Sequence, residues 1–147
     1  MLALCRHPEE LARLRRTPAL MRNAIEELLR YDSPVQLVHR SVRADVEIGG
    51  KLVRAGQEAV LVLGAANRDP ARFSDPDRLD LARPDNRHLA FGHGIHFCLG
   101  APLARLEGQI AFETLLARLP ALRLAVDGVE WRDGFVLRGL KALPLAF

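Results

Sequence analysis

Cysteine, lysine and aromatic residues are all scarce in this chain of 147 residues. It carries two cysteines, one Trp, one Tyr and six Phe. Cys5 and Cys98 lie far apart and form no CxxC pair, which excludes a disulfide-stapled scaffold; in a reducing compartment no bridge between them is expected. No run of about 18 apolar residues occurs, so no membrane-spanning helix is expected. Met1 to Cys5 is too short for the apolar core of a signal peptide, and a cytoplasmic protein is the expectation. Lysine is nearly absent: of 21 basic residues only Lys51 and Lys141 are not arginine. The arginines interleave with 18 acids to a net charge of +3 and form no basic stripe, so no nucleic-acid partner is expected. What the chain does have is 49% hydrophobic residues, 11 Gly and 9 Pro. That excludes collagen and low-complexity disorder. The length suits one domain, and a compact fold of this size buries about 70% of the surface its unfolded chain exposes.

Periodicity divides the chain into a few elements. Leu2, Leu4, Leu11 and Leu14 have helical spacing, and Pro8-Glu9-Glu10 has the composition of a first helical turn. Thr17-Pro18 opens a clearer helix whose apolar face is Leu20, Met21, Ala24, Ile25, Leu28 and Leu29, ended by Pro34. Val35 to about Leu63 is strand-like, with a hairpin at Gly49-Gly50, a turn at Ala55-Gly56 and a buried strand over Ala59 to Leu63. Asn67 to Pro70 is a turn. Arg72 to Phe97 shows neither helical nor strand period, and an ordered loop of that length in a compact domain is usually functional. Leu99, Leu103, Leu106, Ile110 and Leu115 then restore a helix up to Pro120. Leu122 to Phe147 is expected to form two or three short strands.

Chemistry concentrates where the long loop meets that helix. Cys98 follows a Gly-rich turn, where unpaired N–H groups and the positive helix end favour a thiolate. Wrapped by Phe91, Phe97 and Leu99, such a thiolate suits a soft or redox metal. A buried, inert cysteine explains the same residue equally well. His93, His96 and Cys98 as zinc ligands is a third reading, although H-x-x-H-x-C is not a usual zinc spacing and no fourth ligand is near. A Cys–His nucleophile pair lacks an orienting Asn or Asp at close range. His88 is expected to be a loop or surface residue.

The run from Phe91 to Gly100 (Phe-Gly-His-Gly-Ile-His-Phe-Cys-Leu-Gly), continuing through Ala101-Pro102-Leu103-Ala104-Arg105, resembles the haem-binding signature of bacterial cytochrome P-450 monooxygenases at every fixed position. Three further features follow in the family's order: Glu27-Leu28-Leu29-Arg30, Asn67-Arg68-Asp69-Pro70, and Asp75-Pro76-Asp77-Arg78-Leu79. The resemblance implies a mainly α fold with small β-sheets (α+β), with residues 1–147 as the C-terminal part of the domain. The family's central oxygen-activating helix has no counterpart here, so no catalytic pair is expected and an apolar face should lie bare.

It further implies haem b as cofactor, with Cys98 as the axial ligand of the iron and His96 and Arg40 on the propionates. Phe91, packed beside the ligand loop, and Gly92, Leu99 and Gly100 would also be cofactor-binding. Glu27, Arg30 and Arg78 would form a buried structural triad, although an i,i+3 pair off the apolar stripe of a helix is ordinarily a solvated pair worth about 0.2–0.5 kcal/mol. Leu37, Val38, Val136 and Leu137 would border a pocket for a small apolar organic substrate. The implied reaction inserts one atom of O2, with electrons from NAD(P)H passing through a ferredoxin or flavin reductase on the proximal face. A haem-binding chain without turnover is the alternative.

Overall fold

The computed structural model describes all 147 residues. Helices α1 (Leu2–Arg6) and α2 (Pro8–Arg16) meet at His7, where Pro8 occupies the first position of the second helix. Glu9 and Glu10 stand in the first turn of α2 and Arg13, Arg15 and Arg16 in the last, each matched to the helix dipole. A 3-10 turn over Pro18–Leu20 leads into α3 (Met21–Tyr31). Three two-stranded antiparallel sheets follow the sequence expectation. Strand β1 (Val38–Ser41) pairs with β4 (Glu58–Leu61), Val38 opposite Leu61. Between them β2 (Val46–Ile48) and β3 (Lys51–Val53) form the hairpin. Its two turn residues, Gly49 and Gly50, both have positive φ, which the right-handed strand twist requires. After the short helix α4 (Leu63–Ala66) and the long loop comes α5 (Ala101–Arg118). Strands β5 (Arg123–Leu124) and β6 (Leu145–Ala146) close the tail.

The core lies between the N-terminal helices, the loop and α5. Leu4, Leu11, Leu14, Met21, Ala24 and Ile25 pack with Leu79, Leu81 and Leu116. Helix α5 crosses α3 at Gly108, where a Cβ would come within 3.3 Å of the Ile25 side chain, so the two backbones approach closely.

This core is small for the length. The accessible surface is 9723 Å², against about 7,500 Å² for a compact monomer of this mass, so the buried fraction is nearer about 60% than 70%. Many large apolar side chains contribute to the excess. Helix α5 has two apolar faces: Gly108 and Leu116 pack toward α3 and the core, while Leu103, Leu106 and Ile110 on another side are each more than half exposed. The strand expected to be buried near Ala59 to Leu63 is also corrected: it ends at Leu61, and Val60, Leu61 and Val62 are about half exposed because no second layer packs on them.

Candidate functional site

The long loop is held by a buried ionic network on α3. Glu27 and Arg30 are fully buried, and Arg30 Nε and Nη2 donate to the two carboxylate oxygens at 2.8 and 2.9 Å. The remaining Arg30 donors reach the carbonyls of Asn67, Pro76 and Arg78, so all five are satisfied. This is a bidentate pair in the core, where removing one partner would strand a charge. The Asn67 side chain donates to Ser33 Oγ and accepts the Leu89 N–H, tying the network to the loop just before Phe91.

The third member of the triad is Arg83, not the expected Arg78. Arg83 Nε donates to both Glu27 oxygens at 3.2 and 3.1 Å, and its other nitrogens reach the carbonyls of Ser74, Asp75 and Arg78. Arg78 contributes only its backbone carbonyl; its side chain is exposed. Burial alternates along this segment, with Leu79, Leu81 and Arg83 inside. Arg78 has the wrong parity to join them. That alternation around Leu79 and Leu81 was the available signal, and the length of the loop concealed it.

One cavity of about 300 Å³ brings together Cys98, His96, Arg40, Phe91, Gly92 and Val38. Its remaining wall includes Leu29, Val35, Leu63 and Ala90. A thiol, an imidazole and a guanidinium in an otherwise apolar cavity are the donor set that a flat, apolar iron cofactor with carboxylate tails needs. The turn is built by the backbone: the Cys98 N–H donates to the Phe91 carbonyl at 2.9 Å, and Gly92 and Gly94 adopt positive φ. Gly100 leads into α5, and a Cβ there would lie 3.8 Å from Cys98 Sγ.

Other expectations fare differently. Leu99 is 98% exposed and does not wrap the thiol; Phe97 is half exposed and lines a different pocket with His93. No group of three His, Cys, Asp or Glu side chains is placed to hold a metal ion, because His93 is turned from the cavity that His96 and Cys98 share. The zinc reading has no geometry to stand on. Of the four substrate-pocket candidates, Val38 lines the cavity. Val136 and Leu137 are brought beside it by strand-like pairing, through the Gln36 N–H to the Val136 carbonyl and the Val35–Leu137 bridge. Leu37 is half-buried and does not line the cavity.

A second polar cluster, not expected from the sequence, sits beneath the loop. Arg105 on α5 donates to Glu26 on α3 through Nε and Nη2 at 2.7 and 2.9 Å. His88 lies 3.1 Å from the same carboxylate; it belongs to the loop, as expected, but its side chain is only 2% exposed, so it is not on the surface. Burial pushes the Glu26 carboxyl up, but the hydrogen bonds from His88 and Arg105 outweigh it and bring it from 4.5 to about 2. A carboxylate depressed by folding contributes stability above its unfolded value and loses it as pH falls through the folded one. The difference in urea midpoint between wild type and Glu26→Gln should therefore shrink between pH 4.5 and 2. After screening at this half-exposed site its size is about 1 kcal/mol. A difference independent of pH would contradict the assignment.

Comparison with known proteins agrees with the cavity. The sequence model of the family described as Cytochrome P-450 matches residues 11–123. The chain is 50% identical over 147 residues to the biotin biosynthesis cytochrome P-450 of Bacillus subtilis, covering 100% of this chain and 37% of that one. It is 46% identical over 144 residues to 6-deoxyerythronolide B hydroxylase of Saccharopolyspora erythraea, covering 97% of this chain and 36% of that one. The crystal structure of P-450BioI with an acyl carrier protein carrying hexadec-9Z-enoic acid superposes with a TM-score of 0.96 at 50% identity, over 99% of this chain and 38% of that one. The chain thus spans a little over a third of the length of these relatives. Its helices, small antiparallel sheets and ordered loop are those of that fold, and the chain belongs to the cytochrome P-450 family.

Proposed function

We propose that this chain supplies the proximal side of a haem-thiolate monooxygenase. The observation that carries the reading is the single apolar cavity in which Cys98, His96 and Arg40 converge. Cys98 Sγ would be the axial ligand of a haem b, and the imidazole of His96 and the guanidinium of Arg40 would hold its propionates by charge-assisted hydrogen bonds. Phe91, whose carbonyl takes the Cys98 N–H, would pack beside the ligand loop. When bound, a haem with a thiolate ligand supplies the electron density that favours O–O cleavage, and with it insertion of one atom of O2 into an organic substrate. Val38, with Val136 and Leu137 beside it, makes the substrate side aliphatic and suits a small apolar compound. Electrons would come from NAD(P)H through a ferredoxin or flavin reductase, in the cytoplasm; no helix of the chain is long and apolar enough to cross a membrane.

A second reading rests on the exposure of Cys98. The substrate side is open as well, with Val136 and Leu137 about half and two-thirds exposed; an open site does not exclude water, and in this reading the chain on its own would bind haem without turnover. Both readings share one test: the absorption spectrum of the haem-loaded chain, reduced under carbon monoxide. The expected result is the red-shifted Soret band of thiolate ligation. Failure to take up haem overturns both readings, and haem uptake with an imidazole-type spectrum overturns the assignment of Cys98.

A further inference from the structure

The role of Arg105 is not explained by the cavity, which it does not line. Its guanidinium lies over the Phe91 ring at 4.7 Å from the centroid while both donor nitrogens used grip Glu26. Only a planar fork can stack and chelate at once. His88 completes the arrangement from the loop itself, its ring 6.1 Å from that of Phe91. The Ala90 N–H lies 3.1 Å from His88 Nδ1, which must accept, so Nε2 carries the proton and donates to Glu26. Three elements (α3, the loop and α5) are thus pinned at one carboxylate, directly behind the residue whose carbonyl takes the Cys98 N–H.

We propose that Glu26, His88 and Arg105 are positioning residues that hold Phe91, and through its carbonyl the Cys98 backbone, in the geometry from which the thiol reaches its iron. The proposal rests on the reading of Cys98 as an axial ligand. It differs from the Glu27–Arg30–Arg83 network, which holds the loop backbone from Ser74 to Leu89: the Glu26 cluster packs on the Phe91 ring itself. None of the three residues touches the cofactor cavity, so each acts through Phe91.

Amide hydrogen exchange of the full chain tests this, with Glu26→Gln, Arg105→Lys, His88→Gln and His88→Leu compared with wild type. Loss of charge-assisted bonds of this kind is expected to speed exchange of the Phe97 and Cys98 amides about tenfold or more in Glu26→Gln, Arg105→Lys and His88→Leu, leaving the β2–β3 hairpin amides unchanged. His88→Gln keeps a donor near Nε2 and should rescue. In the haem-loaded chain, reduced under carbon monoxide, the same three variants should show a smaller thiolate fraction. Equal acceleration at the hairpin and at Cys98 would make the cluster merely structural and overturn the proposal. His88→Leu, which leaves the Glu26–Arg105 pair intact, decides the matter should Glu26→Gln fail to fold. A wild-type thiolate spectrum with unchanged Cys98 exchange in all variants overturns the positioning alone. A wild type without a thiolate spectrum overturns the ligand assignment beneath it.

Discussion

Replacing Cys98 by serine should abolish the thiolate-type spectrum of the haem-loaded, reduced chain while scarcely changing the unfolding midpoint. Cys98 is exposed, so exchanging sulfur for oxygen there removes little buried contact, and a cost within about 0.5 kcal/mol is expected. Ligation is another matter. A thiol gives up its proton on coordination and is then a soft anionic donor, whereas a serine hydroxyl is a poor partner for haem iron. His96 shares the cavity, so residual haem uptake with an imidazole-type spectrum is compatible with the proposal. An unchanged thiolate spectrum in Cys98→Ser is not, since Cys5, the other cysteine, is no part of the cavity.

Glu27→Ala should cost about 3–5 kcal/mol, because it leaves the guanidinium groups of Arg30 and Arg83 buried with no counter-charge. Against a net stability of about 5–15 kcal/mol for a domain, that is enough to unfold a chain with so small a core. Arg83→Ala should be similarly severe, since it removes a cation beside Glu27 and leaves the Ser74 and Asp75 carbonyls without their donor, while the Arg78 carbonyl keeps Arg30. Arg78→Ala should stay within about 0.5 kcal/mol, because only its carbonyl takes part and the substitution keeps it. Urea titration of the three variants decides between the two arginines. Equal losses for Arg78→Ala and Arg83→Ala would contradict the network described above.

The same pair of arginines shows where reading the chain residue by residue stops. Helix boundaries at Pro8, Pro18 and Pro34, the Gly49-Gly50 hairpin and the ligand loop were legible, because each depends on local chemistry: a missing N–H, a positive φ, a repeat of apolar residues. Cys98, His96 and Phe91 were legible through their resemblance to a known signature, and Arg40 through a separate match to the same family; one cavity holds all four. Leu99 and Phe97 were expected to wrap the thiol on the strength of adjacency, yet neighbours in sequence do not share a direction at a turn.

What the sequence by itself determined is the set of elements and the ligand loop, since those follow from backbone restrictions and short spacings. Only the tertiary structure decided which charges are buried together. Glu26 and Glu27 are adjacent on α3, but a turn of 100° per residue sends one to His88 and Arg105 and the other to Arg30 and Arg83. Arg83 and Arg105 lie 56 and 79 positions from their carboxylates. No periodicity reaches that far: such pairs are selected by where α3, α5 and the loop pack, and by the cost of leaving any of those charges buried alone.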